Sequence, residues 1–181
     1  GPGLGTLTKK LLERGAIVTA VEFDHDLAIG LPGRVQHANL SIVEQDILKF
    51  DLTKLPAGYK VVANIPYYLT SKLLRVLCES TNPFAGGSLL IQKEVAERVA
   101  AKPGAMSLLS VSVQYYCDVT LGALVSAELF TPPPKVDSQI IGLRYREQPL
   151  FDDVDTSKFF FVVKAGFSSR RKKLRSSLSG G

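Results

Sequence analysis

The segment KVVANIPYYLTSKLLRVLC, Lys60 to Cys78, decides the fold. Its first part, Lys60 to Ala63, reads as a strand. Its last part, Ser71 to Cys78, reads as a helix that starts on a good capping residue. Between them stands Asn64-Ile65-Pro66-Tyr67, at the carboxyl end of a strand, where open α/β sheets place their ligands.

Outward from this unit the chain keeps alternating. Further strands are expected at Ile17 to Val21, Ser41 to Glu44, Ser88 to Ile91, Val119 to Val125 and Gln139 to Arg144. Helices are expected at Thr6 to Arg14, stopped by Gly15, and at Lys93 to Ala101, which puts Val95, Ala96 and Val99 on one face before Lys102-Pro103-Gly104. Alternating strands and helices predict an α/β sheet with helices on its faces. The segment Glu147-Gln148-Pro149 marks a boundary, so residues 1–147 form one domain and 148–181 the start of another.

At 181 residues and 45% apolar composition, the chain is long enough for one well-cored domain plus part of a second. No apolar run is long enough to cross a bilayer and no leader pattern opens the sequence, so a soluble, intracellular, cytoplasmic protein is expected. Cys78 and Cys117 are far apart in sequence and show no zinc-type spacing with His25 or His37, so buried free thiols and no metal are expected. The net charge of +5 is unevenly placed. All 17 acids lie at or before Asp155, whereas the residues after it hold seven bases and no acid. A local basic patch suits a polyanion.

Gly1-Pro2-Gly3-Leu4-Gly5 runs straight into a helix, so a ligand can approach its backbone and the free N–H groups. The spacing fits neither a P-loop nor the full dinucleotide fingerprint, and a glycine turn without ligand stays open. Glu22 closes the next strand at the distance where an acid takes ribose hydroxyls in Rossmann-like sites; a surface carboxylate is the alternative. Asp46 follows the Ser41 to Glu44 strand and can accept from an adenine amino group or cap a turn. Asn64 to Tyr67 supplies what methylation of an aromatic amine needs. The nitrogen lone pair is delocalised into the ring, so the site must accept its N–H groups and favour a pyramidal nitrogen. The Asn64 side-chain oxygen and the Ile65 carbonyl are the acceptors, Pro66 stiffens the turn, and Tyr67 offers a stacking face. Phe130, before three prolines, is an aromatic on a stiff loop or a core residue.

These strings resemble the KsgA-type ribosomal RNA adenine dimethyltransferases over nearly the whole chain: GPGLGTLT at Gly1 to Thr8, NIPYYLTS at Asn64 to Ser71, QKEVAER at Gln92 to Arg98, SVQYY at Ser112 to Tyr116 and FTPPPKVDS at Phe130 to Ser138. The resemblance implies a Rossmann-like, S-adenosyl-L-methionine-dependent methyltransferase sheet followed by the start of a small α-helical C-terminal domain. It implies that Gly1, Gly3 and Gly5 surround the amino acid end of the cofactor, Glu22 binds its ribose and Asp46 its adenine. Asn64, also beside the cofactor, would hold the target base with Pro66 and Tyr67, and Phe130 would close on it. The implied partner is small-subunit ribosomal RNA in the immature small subunit, met by a monomer. The resemblance further implies that the central first strand precedes Gly1 and that most of the helical domain follows Gly181.

Two rivals remain in view. Large-subunit adenine methyltransferases of the macrolide-resistance type share the Asn-Ile-Pro-Tyr logic, although PPPKVDS and QKEVAER favour the small-subunit group. A non-catalytic RNA-binding assembly factor would keep the fold, but the intact Asn64 to Tyr67 speaks against it. A nicotinamide dehydrogenase is remote, because nothing supplies a hydride-transfer acid.

The apolar stretch from Lys158 leads into Arg170, Arg171, Lys172, Lys173 and Arg175, a cluster expected to grip RNA phosphates. Neutralising Arg170, Arg171, Lys172 and Lys173 together should weaken RNA binding and flatten its salt dependence, by up to about 0.9 in log–log slope for each phosphate no longer neutralised. A titration across salt with an unchanged slope would make the run a solvated face.

Overall fold

The computed structural model describes residues 1–148, 150–151, 153–168 and 175. Six strands form in chain order: β1 (Val18–Glu22), β2 (Leu40–Glu44), β3 (Lys60–Asn64), β4 (Gly86–Gln92), β5 (Cys117–Val125) and β6 (Ser138–Tyr145). The helices are α1 (Thr6–Leu12), α2 (His25–Arg34), α3 (Thr70–Cys78), α4 (Lys93–Val99), α5 (Leu108–Gln114) and α6 (Thr156–Phe167). All six expected strands are present, each within two residues of its expected bounds. Helix α1 stops two residues earlier than expected, and Gly15 takes a φ of +82° in the turn beyond it.

The sheet is mixed. β3 and β4 pair in parallel, β6 joins β4 antiparallel, and β5 closes that edge, giving the order β3-β4-β6-β5. β1 and β2 form a separate parallel pair. Helix α3 explains the cohesion of the larger sheet: Leu73, Leu74, Leu77 and Cys78 are buried together with Leu89 and Ile91 of β4, Ile141 of β6 and Val113 of α5. Each such leucine contributes about 1.5–3 kcal/mol by leaving water. A smaller cluster of Leu12, Ala20, Leu31 and Val35 packs α1 and α2 against β1. Val21 and Val43 reach the main core, so the two sheets are joined through side chains where no backbone ladder links them.

Two helices carry no clear sequence signal. Gly30, Pro32 and Gly33 argue against α2, yet Asp24 caps it by accepting the Leu27 N–H at 2.9 Å, and Ala28 and Leu31 bury its inner face. Pro32 falls in the last turn, where its missing N–H costs the helix one bond, to the Ala28 carbonyl. Helix α5 is hidden in a serine-rich run; Ser107 and Ser110 form a reciprocal capping box. Helix α6 docks through aromatics: Tyr115 stacks on Phe159 at 4.8 Å and Tyr116 on Phe160 at 6.0 Å between centroids. The Tyr115 hydroxyl lies 3.0 Å from Thr156 Oγ1.

Cys78 and Cys117 are buried and free, as expected, and the fold brings them together. Hydrogen bonding with Cys117, then burial, pushes the Cys78 thiol far above the ordinary thiol range. Because the thiolate is the reactive form, an Ellman-type disulfide reagent should label neither cysteine in the native protein and both after denaturation. Fast native labelling would contradict this packing.

Candidate functional site

β1 and β2 run parallel, as do β3 and β4, and Glu22 and Asn64 stand at the carboxyl ends of their strands. Glu22 ends β1 and pairs in register with Glu44 at the end of β2; Asp46 lies two residues further on. Asn64 ends β3 and pairs with Leu90. Ser138, which opens β6, pairs with Gln92 at the end of β4.

The glycine turn folds over Glu22. The Glu22 carboxylate is buried, at 7% exposure, and accepts three backbone N–H groups: Gly3 at 3.0 Å on Oε2, and Phe23 at 2.9 Å and Asp24 at 3.1 Å on Oε1. A carboxylate has about four acceptor sites, so most of this one is already committed. The turn closes with Gly5 N–H donating to Pro2 C=O at 2.9 Å. Gly1 is held by proximity, since a Cβ there would lie 2.5 Å from Glu22 Oε2. Gly5 is held by conformation and space: φ is +87°, and a Cβ would meet Val35 Cγ2 at 2.6 Å and Leu31 Cδ1 at 2.7 Å.

Asp46 caps its own turn, accepting the Leu48 N–H at 2.9 Å on Oδ1. Nearby, His25 Nδ1 lies 2.9 Å from Glu44 Oε1, a hydrogen bond that raises the imidazole pKa.

At the Asn-Ile-Pro-Tyr turn, Ile65 is buried and its N–H donates to Leu90 C=O at 3.0 Å, extending the β3–β4 ladder by one bond. The Asn64 side chain is exposed. Among the described residues, neither its amide nor the Ile65 carbonyl has a hydrogen-bond partner. The Asn64 amide is thus free at the surface, whereas the Ile65 carbonyl lies in a residue only 2% exposed. The half-buried ring of Tyr67 is fixed through its hydroxyl, 2.9 Å from Ser138 Oγ. Phe130 is half-buried at the end of the short turn Ala127–Leu129. Tyr68, at 85% exposure, is the neighbouring aromatic left in solvent.

Ser138 closes the FTPPPKVDS string, yet sequence reasoning gave it no role; a single serine at a strand start gives no sign of a partner 71 residues away. Arg170, Arg171, Lys172 and Lys173 lie outside the described residues, and Arg175 is helical and exposed. A cavity of about 330 Å³ between α3, α5 and α6, lined by Ser71, Arg75, Arg98, Leu108, Phe160 and Lys164, contains none of the carboxyl-edge residues. Among the described residues no group of three His, Cys, Asp or Glu side chains is placed to hold a metal, and no helix is long and apolar enough to cross a membrane.

Fold and site together define a Rossmann-like methyltransferase domain. The chain superposes with a TM-score of 0.83 on a dimethyladenosine transferase from Plasmodium falciparum, 31% identical, covering 98% of this chain and 64% of that one. With the 23S rRNA methyltransferase ErmE the TM-score is 0.82 at 30% identity, covering 99% and 73%. Residues 1–180 match the ribosomal RNA adenine dimethylase family, and the chain belongs to it. Curated relatives include the ribosomal RNA small subunit methyltransferase A of Streptococcus pneumoniae, 41% identical, and that of Clostridium acetobutylicum, 39% identical, each aligned with 99% of this chain. The chain spans 66% and 67% of the length of these two relatives.

The glycine turn gives a contrast between two positions. Gly3→Ala meets nothing within 4 Å at φ +55° and should cost only the left-handed penalty of about 1–2 kcal/mol. Gly5→Ala adds overpacking of roughly 1–3 kcal/mol. Denaturant unfolding should rank Gly5→Ala clearly below Gly3→Ala, and equal losses would mean that the turn does not pack on α2.

Proposed function

We propose that the protein dimethylates the exocyclic amine of adenines in small-subunit ribosomal RNA, using S-adenosyl-L-methionine, as a step linked to small-subunit maturation. The observation that carries this reading is the Asn-Ile-Pro-Tyr turn at the end of β3, where an exposed Asn64 amide without a partner among the described residues stands near a tyrosine ring fixed by Ser138. The names of the curated relatives support the small-subunit substrate. The likeness to ErmE keeps large-subunit RNA as the second reading.

The carboxyl-edge residues suit the cofactor. A buried carboxylate at the end of β1, a glycine turn that would admit no Cβ at Gly1 or Gly5, and a second acid after β2 provide acceptors for hydroxyls and an amino group beside approachable backbone. In this reading Glu22 takes the ribose, Asp46 the adenine through its second oxygen, and Gly1, Gly3 and Gly5 border the amino acid end. When bound, the cofactor supplies a methyl group on a sulfonium ion.

The protein's part is positioning. Asn64 and Ile65 accept the amine N–H groups, which localises the nitrogen lone pair for in-line attack. Tyr67 and Phe130 stack on the base, and Pro66 holds the turn that presents these groups. With the cofactor bound, its methyl carbon would pass from sulfur to the nitrogen that Asn64 and Ile65 hold. The proton then leaves the cationic nitrogen for water, so no strong general base is needed. Residues 1–147 serve as the catalytic domain, and 148–181 begin a helical domain whose Arg170, Arg171, Lys172, Lys173 and Arg175 meet RNA phosphates. The partner is the immature small subunit in the cytoplasm, approached by a monomer.

Mass spectrometry of RNA from immature small subunits, incubated with the full-length polypeptide and labelled cofactor, should detect dimethyladenine. Asn64→Ala should lower turnover by about 10²-fold or more with cofactor affinity nearly intact, because the lost acceptor acts mainly in the transition state. Modified large-subunit RNA and unmodified small-subunit RNA would favour the second reading, and no methyl transfer to either would end the catalytic one.

A further inference from the structure

Ser138 is fully buried, at 0% exposure, at the start of β6. An apolar residue would suit such a position, since a buried hydroxyl is costly unless hydrogen-bonded. Among the described residues its side chain finds that bond at the Tyr67 hydroxyl, 2.9 Å away. The preceding residue is equally engaged. Asp137 Oδ1 accepts the Ala127 N–H at 3.0 Å, at the head of the turn that ends on Phe130. The Asp137 carbonyl accepts the Lys93 N–H at 3.0 Å, where α4 leaves β4. One dipeptide therefore ties down the Tyr67 turn, the Phe130 turn and the end of a central strand.

We propose that Asp137 and Ser138 are positioning residues that set the separation of the Tyr67 and Phe130 rings, and that this fixed slot is what carries the reaction past the first methyl group to the second. The inference rests on the reading of Asn64 to Tyr67 as the base pocket. An unmodified adenine amine has two N–H groups for the two acceptors, Asn64 Oδ1 and the Ile65 carbonyl. After one transfer it has one N–H left, so one acceptor no longer helps to hold the nitrogen. Each transfer forms an N–C bond, breaks a C–S bond and releases the nitrogen's extra proton to water, but the second begins with one hydrogen bond fewer. Ring stacking must then hold the base in line, and a loosened slot should harm the second transfer more than the first.

The test compares Ser138→Ala, Tyr67→Phe and their double variant with wild type, all as full-length polypeptides acting on immature small subunits. Each single variant removes the same hydrogen bond and should lower kcat roughly 3- to 10-fold, the scale of one hydrogen bond. The double variant should be no slower than the slower single, because the bond can be lost only once. The KM for S-adenosylmethionine should stay unchanged, and the share of monomethyladenine in the product should rise in all three. A monomethyl share equal to wild type, or losses that multiply in the double variant, would overturn the proposal. If Ser138→Ala does not fold, Tyr67→Phe carries the same two readouts. If wild type makes no methyladenine at all, the base-pocket reading fails and the latch is judged by hydrogen exchange: Asp137→Ala should speed exchange at the Ala127 to Phe130 amides, and unchanged exchange would overturn it.

Discussion

The parallel pairing of β3 with β4, sealed on one face by the leucines of α3, is the constraint from which the site follows. Leu74, Leu77 and Leu89 are almost fully buried in one cluster, and their burial fixes the rotation of α3 against the sheet. Because α3 begins six residues after Asn64, that rotation leaves the intervening turn little freedom. Ile65 completes the arrangement. Its N–H extends the ladder to Leu90 while its side chain enters the core. Satisfied backbone immediately behind the edge leaves the exposed Asn64 side chain at the end of the ladder.

Among the described residues β1 and β3 each have a ladder partner on one side only. Val62 of β3 is 39% exposed, and Ile17, just before β1, is 85% exposed. Parallel strands in doubly wound sheets are normally covered and paired on both sides. In this chain the two halves are held in relation by Val21 and Val43 packing on the main core, and the glycine turn is held by Glu22. These contacts are made by side-chain burial and by one buried carboxylate. Neither is legible in the sequence, which offers only a glycine-rich start and an acid at strand-end distance.

What the sequence did reveal follows period and punctuation. The six strands are β-branched runs, and α3 and α4 carry their apolar residues on one face, so the α/β class and the carboxyl edge were readable. Helices α2 and α5 were not, for opposite reasons. In α2 the local composition opposes a helix and tertiary burial of Ala28 and Leu31 overrides it. In α5 a serine capping box and long-range hydrogen bonds set the helix: Ser110 Oγ donates to Arg98 C=O at 2.6 Å, and Gln114 Nε2 donates to Val99 C=O at 2.7 Å. The site divides the same way. Glu22, Asp46, Asn64 and Tyr67 stand at strand ends and can be found by position. Ser138 and Asp137 matter through partners 71 and 10 residues away, and no local pattern encodes such pairs.

The state of Glu22 bears on how the glycine turn meets a ligand. Three N–H donors use three of its roughly four acceptor sites. Those from Phe23 and Asp24 belong to the backbone leading into α2 and share Oε1, whereas Gly3 alone occupies Oε2. In the proposed reading a diol on this carboxylate would need two acceptor sites, and it would compete with the single Gly3 N–H on Oε2 before the two donors on Oε1. The exchange replaces one hydrogen bond to the carboxylate with another and costs little net energy, since the net worth of such a bond is about 1.5–3 kcal/mol on either side of the exchange. Gly3, with a left-handed φ and no atom within 4 Å of a Cβ, is the position in the turn with room to move. Gly5, wedged against Leu31 and Val35, is the position that cannot. The turn therefore has an anchored end at Gly5, which joins it to α1, and an end at Gly3 held over the carboxylate by one hydrogen bond.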